Sequence, residues 1–137
     1  MTDCTFCKIT KKELPADIVY EDKKTLAFLN IGPVNKGHIL VIPKEHHETL
    51  FDVPDDLVKD MAVTTKKVGQ AIKQAVEADG INIGMNNYKA AGQVVFHAHF
   101  HLIPRFVNDG LQLWPQGTYE DGEMSKYAAM IKTELES

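Results

Sequence analysis

Only two of the 137 residues are cysteine, Cys4 and Cys7. They are too few and too close together for a disulfide framework, which leaves metal binding or thiol chemistry as their use. Long apolar runs are also missing: no stretch approaches the ~20 residues of a spanning helix. The N-terminus MTDCTFCKITKKELP lacks the apolar core of a secretory signal, so the cytoplasm is the expected compartment and no membrane partner is expected. Positive charge is not in excess, since 15 Lys and Arg stand against 19 Asp and Glu for a net charge of −4. The electrostatic drive for binding a nucleic acid polymer is therefore absent. There is no internal repeat, low-complexity tract or linker. With 44% hydrophobic and 25% charged residues, the composition is globular, and residues 1–137 are expected to form a single domain.

Three extended runs, IVYE, TLAFLN and HILVIP, are rich in β-branched and aromatic residues and separated by turn residues, the pattern of an antiparallel meander. Pro54 then suits a first helical position. Leu57, Met61, Thr64, Val68, Ile72 and Ala75 recur every three or four residues, which predicts one long amphipathic helix ending near Asp79-Gly80, with Gly80 as its stop. Two more strands follow, INIGMN and QVVFHAHFHLIPR, joined by the loop NNYKAAG. A last helical pattern carries Met124, Tyr127, Ile131 and Leu135. Strands, one long helix and further strands predict an α+β fold: an antiparallel sheet of about five strands, with helices on one face. The regular βαβ alternation of a doubly wound sheet is missing.

Six histidines are the unusual feature of the composition. They cluster as His38, the pair His46 and His47, and the row His97, His99 and His101. In a strand, alternate residues share a face, so the row presents three imidazoles on one side and Ala98, Phe100 and Leu102 on the other. Three readings are open: solvated surface histidines; a His-x-His metal centre; or covalent catalysis, in which one neutral imidazole attacks phosphorus while a neighbour hydrogen-bonds the developing charge.

The segment GQVVFHAHFHLIPR resembles the signature of the histidine triad family, a His-x-His-x-His row preceded by Gly-Gln. CTFCKITKKELPADIVYED, AFLNIGPVNKGHILVIPKEH and MNNYKAAGQ resemble further stretches of its Hint branch, especially of bacterial members, and the similarity spans roughly residues 3 to 105. The resemblance implies nucleotidyl hydrolysis or transfer at the α-phosphate of a purine nucleoside phosphoramidate, through a covalent nucleotidyl-histidine and without a catalytic metal. By position it makes His99 the nucleophile. His101 would be a protonated imidazole at the phosphoryl oxygens or leaving group, His38 a relay from the adjacent strand, and Gln93 an amide donor to phosphate. Gly92 and the backbone of Val94 would approach that phosphate, Asn30 and Asn86 would reach ribose or phosphate, and Phe6 and Ile31 would wall the base pocket. Alternatives are a Fhit-like dinucleoside polyphosphate hydrolase, or a nucleotide-binding or interaction module with vestigial activity.

Two positions depart from the family pattern. Val94 stands where many members carry Ser or Thr, so only its backbone N–H is left for phosphate. Tyr88 stands where Gly is common. The resemblance also implies that Cys4, Cys7, His46 and His97 hold one structural zinc per chain; taken alone, the two cysteines could be free thiols. It further implies a homodimer formed through the sheet and helix region, with Trp114 approaching the partner's site. No ligand role falls to His47.

Overall fold

The computed structural model describes residues 3–137. Its elements run α1 (Thr5–Thr10), β1 (Ile18–Glu21), β2 (Thr25–Leu29), β3 (Ile39–Pro43), α2 (Asp55–Ala75), β4 (Gly80–Gly84), β5 (Phe100–Arg105) and α3 (Glu123–Glu136). The five strands form one antiparallel sheet in the order β1-β2-β3-β5-β4. The meander β1-β2-β3 matches the three apolar runs. Its first turn is set by Asp22, whose carboxylate accepts from the backbone N–H groups of Lys24 and Thr25 and from the Thr25 hydroxyl, a local alternative to further pairing that Asp favours.

Strict alternation along β2 and β3 gives the sheet two apolar faces. Ala27, Ile39, Val41 and Leu102 meet Val68 and Ile72 of α2. The periodic positions Leu57, Met61, Thr64, Val68 and Ile72 are buried as their spacing requires. The polar member of that stripe is satisfied, because the Thr64 hydroxyl lies 2.8 Å from that of Thr25 across the buried interface. On the opposite face Leu26, Phe28, Leu40 and Ile42 meet Phe6 and Ile9 of α1. The expectation of helices on one face therefore holds for α2 and is corrected by α1.

Two boundaries also differ from the sequence reading. Helix α2 stops at Ala75 rather than near Gly80, through a left-handed Glu77 (φ 53°). Ala78 N–H bonds back to the Lys73 carbonyl at 3.0 Å, the backbone stop usually built on Gly. Gly80 instead opens β4, opposite Arg105. The run QVVFHAHFHLIPR is a strand only from Phe100. Residues 93–99 are drawn out of the ladder because Pro43, where β3 ends, has no N–H to offer, and because Gln93 and Ala98 bond to the segment 47–48 instead. Helix α3 lies where its pattern predicts, but Met124, Tyr127, Ile131 and Leu135 are all exposed. Among the described residues no helix is long and apolar enough to cross a membrane.

Candidate active site and metal centre

The histidine row runs into the start of β5 and points to the α1 side of the sheet, where His97 and His99 meet backbone carbonyls and His101 meets His38, itself held by a backbone N–H. Because a carbonyl only accepts and an amide N–H only donates, those contacts fix every tautomer. His97 lies 2.7 Å from the Pro43 carbonyl through Nε2, so Nε2 carries the proton and Nδ1 is bare. His99 lies 2.7 Å from the His97 carbonyl through Nδ1, so Nδ1 carries the proton and its bare atom is Nε2. The Val34 N–H donates to His38 Nδ1 at 3.1 Å. His38 Nε2–H then donates to His101 Nδ1 at 3.0 Å, leaving His101 with an outward Nε2–H. Hence the row presents, in sequence, a bare Nδ1 on His97, a bare Nε2 on His99 and an Nε2–H donor on His101.

Burial keeps all of these rings neutral. It lowers the pKa of His99 and His38 and pushes His97 and His101 down to about 4, with neighbouring histidines adding to the effect. This corrects the expectation of a protonated His101. A cationic ring there would also need a proton on Nδ1, which already accepts from His38. His101 is therefore a neutral hydrogen-bond donor. Phe6 stands edge-on to His99 at 5.2 Å and to Phe28 at 5.3 Å, so it backs the His99 ring from within the core.

The structure separates several other residues that the sequence grouped together. Gln93 is only 4% exposed. Its Nε2 hydrogens go to the Glu48 and Val95 carbonyls at 2.6 and 3.1 Å, and its Oε1 accepts from the Tyr88 N–H at 2.8 Å. With both donors committed, Gln93 braces loops and has none left for phosphate, contrary to expectation. Gly92 adopts φ +99°, with Asn86 Nδ2 3.4 Å from where a Cβ would sit. Val94 is 89% exposed beside them. Asn30 caps its own turn, its Oδ1 accepting from the Gly32 N–H. Ile31 lies wholly in solvent while Phe6 is buried, so the two do not form one wall. Tyr88 has φ 73° and ψ 158°, a region almost reserved for Gly, and stacks on Phe51 with centroids 6.0 Å apart.

On the far side of His101, a groove of about 760 Å³ is lined by His38, Asn86, His101, Ile103, Leu113 and Trp114, among others. The tail that forms its wall is clamped by Arg105, whose guanidinium makes paired bonds to Asp109 at 2.7 and 3.0 Å, the bidentate geometry Arg favours. Sequence reasoning missed this clamp, although an Arg and an Asp four residues apart signal it. It also missed Val34, whose contribution is a backbone N–H.

Cys4, Cys7, His46 and His97 come together as predicted, their ligand atoms all within 4.8 Å of one another. His97 Nδ1 lies 3.4 Å from Cys4 Sγ, 3.6 Å from Cys7 Sγ and 3.3 Å from His46 Nδ1. His46 Nδ1 and Cys7 Sγ are 3.3 Å apart. These four residues could hold a metal ion. Burial pushes the Cys7 thiol up, and the Cys4 thiol beside it adds to the shift; a bound cation would reverse that cost. His47 turns away, its ring 2.6 Å from Glu45.

The family profile described as HIT domain matches residues 11–108. Adenosine 5'-monophosphoramidase HNT1 of Candida albicans is 38% identical, over 96% of this chain and 91% of that protein. A crystal structure from Streptococcus mutans superposes with a TM-score of 0.93 at 40% identity, covering 98% of this chain and 87% of the other. A Zn-bound histidine triad family protein from Mycobacterium smegmatis superposes with a TM-score of 0.78 at 36% identity, over 99% of each chain.

Proposed function

Since this chain belongs to the HIT domain family, we propose that it is a nucleotidyl hydrolase or transferase acting at the α-phosphate of purine nucleoside phosphoramidates. The observation that carries this reading is the fixed tautomer of His99, which presents a bare Nε2 while its proton is held by the His97 carbonyl at 2.7 Å. In the first step Nε2 attacks phosphorus, the P–N bond to the amine breaks, and the amine departs having taken a proton from water. In the second, water attacks the nucleotidyl-histidine and releases a proton to solvent, replacing the one the amine took, the bond from phosphorus to Nε2 breaks, and the monophosphate leaves with His99 bare again. His101 donates its Nε2–H to the charge that develops on the phosphoryl oxygens, its direction set by His38 and Val34. Gly92, Val94 and Asn86 form the phosphate side, and Asn30 and the exposed Ile31 the nucleoside side. Gln93 holds the loop. The groove beyond His101 is the leaving-group side, its guanidinium already committed to Asp109, which favours an amine over a second phosphate chain.

The metal is zinc in this proposal. Zn–N and Zn–S bonds of ~2.05 and ~2.3 Å in a tetrahedron put ligand atoms ~3.3 to 3.8 Å apart, and the pairs that join His97 to Cys4, Cys7 and His46, and His46 to Cys7, lie at 3.3 to 3.6 Å. With four protein ligands such a site is closed and structural, and contributes folding energy. We place the protein in the cytoplasm as a single domain and as a homodimer, the last supported by the exposed apolar positions of α3.

The reading is tested by incubating the protein with an adenosine phosphoramidate of a fluorescent amine and trapping labelled nucleotide on the protein by acid quench. His99→Ala should lose at least ~10³-fold in kcat and all trapped label, as expected when a nucleophile is removed. Turnover within tenfold of wild type in that variant would reject the mechanism.

A further inference from the structure

The peptide unit joining His97 to Ala98 is where the metal centre and the nucleophile meet. Its carbonyl accepts the Nδ1–H of His99 at 2.7 Å. The N–H of the same rigid plane, that of Ala98, donates to the His47 carbonyl at 2.7 Å. Neither group belongs to the sheet, whose ladder to β3 begins at Phe100. The Ala98 methyl packs near Val53, Leu57 and Met61, which sets how deep the unit sits; a single methyl leaves its rotation to the polar partners. Those partners are the His47 carbonyl, next in the chain to His46, and the His99 Nδ1–H; the unit is also tied covalently to the His97 ring, which meets Pro43 through one nitrogen and the cysteine-histidine quartet through the other.

We infer that the occupied metal centre is a positioning device for the nucleophile, acting through the His97 carbonyl. An ion on His97 Nδ1 anchors the ring, the ring anchors its own backbone, and that backbone selects which nitrogen of His99 is bare. Without the ion, residue 97 loses its side-chain tie to the loop carrying His46 and His47, and the 97–98 plane keeps as polar anchors only the Ala98 N–H bond to the His47 carbonyl and the ring's bond to Pro43, which lets it turn. His99 then loses its single acceptor and exchanges between tautomers, one of which has no free electron pair facing the phosphate. His97 touches no reacting atom and is a positioning residue. The inference rests on the nucleophilic role of His99 proposed above.

The test compares the zinc-loaded chain, the chain stripped with a chelator, the stripped chain refilled with zinc ion, and His46→Ala. Each is measured at a temperature where its near-ultraviolet dichroism is native. The first readout needs no substrate: the ¹⁵N signature of the His99 ring. A single Nδ1–H tautomer is expected in the loaded chain and a mixture in the stripped one. The second is steady-state kinetics, where stripping is expected to lower kcat by about 10- to 100-fold with KM within about twofold, the size of effect a misplaced reacting group produces. Zinc should restore both readouts in wild type and neither in His46→Ala. Should stripping unfold the chain, Cys4→Ser, which keeps three ligands, supplies the same two readouts. A folded, metal-free chain with one His99 tautomer and unchanged kcat would overturn the inference, as would fewer than one bound zinc per chain at saturation. Failure of the functional reading looks different: zinc-loaded His99→Ala would then turn over normally.

Discussion

Replacing His101 with Gln should flatten the acid dependence of stability by a calculable amount. In the folded chain burial holds His101 down to about 4, against 6.5 for the free side chain. Between those values the unfolded chain binds a proton that the folded chain refuses, so stability rises with pH across the window and is lost as pH falls from 6.5 towards 4. At about 1.4 kcal/mol per pKa unit, the loss from this ring is about 3 kcal/mol by pH 4. Gln can still accept from His38 Nε2–H and donate outward, yet cannot titrate. The assay is urea unfolding of wild type and His101→Gln at half-unit steps from pH 7.5 to 4, both saturated with zinc so that proton effects at the metal ligands cancel in the difference. The gap between the two curves should close or invert by roughly 3 kcal/mol on going from neutral to acid pH. Parallel curves would mean that His101 is not held neutral by burial, and the account of it as an uncharged donor would fail.

Tyr88 offers a test with an unusual sign. Because its φ of 73° and ψ of 158° suit only Gly, Tyr88→Gly should be more stable than Tyr88→Ala by about 1 to 2 kcal/mol, the reverse of the order found at ordinary positions; equal chemical-denaturation midpoints would refute the strain. Met61 of α2, fully buried against Ala98 and Val53, should cost about 2 to 5 kcal/mol as Met61→Ala, read from thermal and urea unfolding. A loss below 1 kcal/mol would show that the region collapses around the gap.

The meander and the long helix were legible because alternation and three-to-four spacing are local signals. Leu26, Phe28, Leu40 and Ile42 announce one face, and Leu57, Met61, Val68 and Ile72 one stripe. Helix α1 was not legible: Thr5–Thr10 is too short for periodicity to show, and its cap is the Cys4 side chain accepting from Cys7 N–H. The end of α2 was misplaced because a left-handed Glu77 carries none of the signal that Gly80 does. Within the site, the residue types of the quartet and the triad could be read off their spacing and resemblance. The backbone groups that fix the protons could not, since the Val34 N–H and the Pro43 and His97 carbonyls have no residue signature. Gln93 reads from sequence as a free amide in a glycine-containing loop. Only tertiary packing reveals that the segment at Glu48 has taken its donors, and only burial reveals that His101 carries no charge.

The insertion of β5 between β3 and β4 has a consequence for how the protein comes into being. His46 and His38 are synthesised 51 and 63 residues before His97 and His101, the histidines they meet, and the strand carrying His101 must close the longer span against two neighbours at once. Such long-range closure is entropically costly and tends to be slow. No early fragment of the growing chain can therefore hold a competent centre, and the appearance of turnover would report that the last and most distant strand has docked.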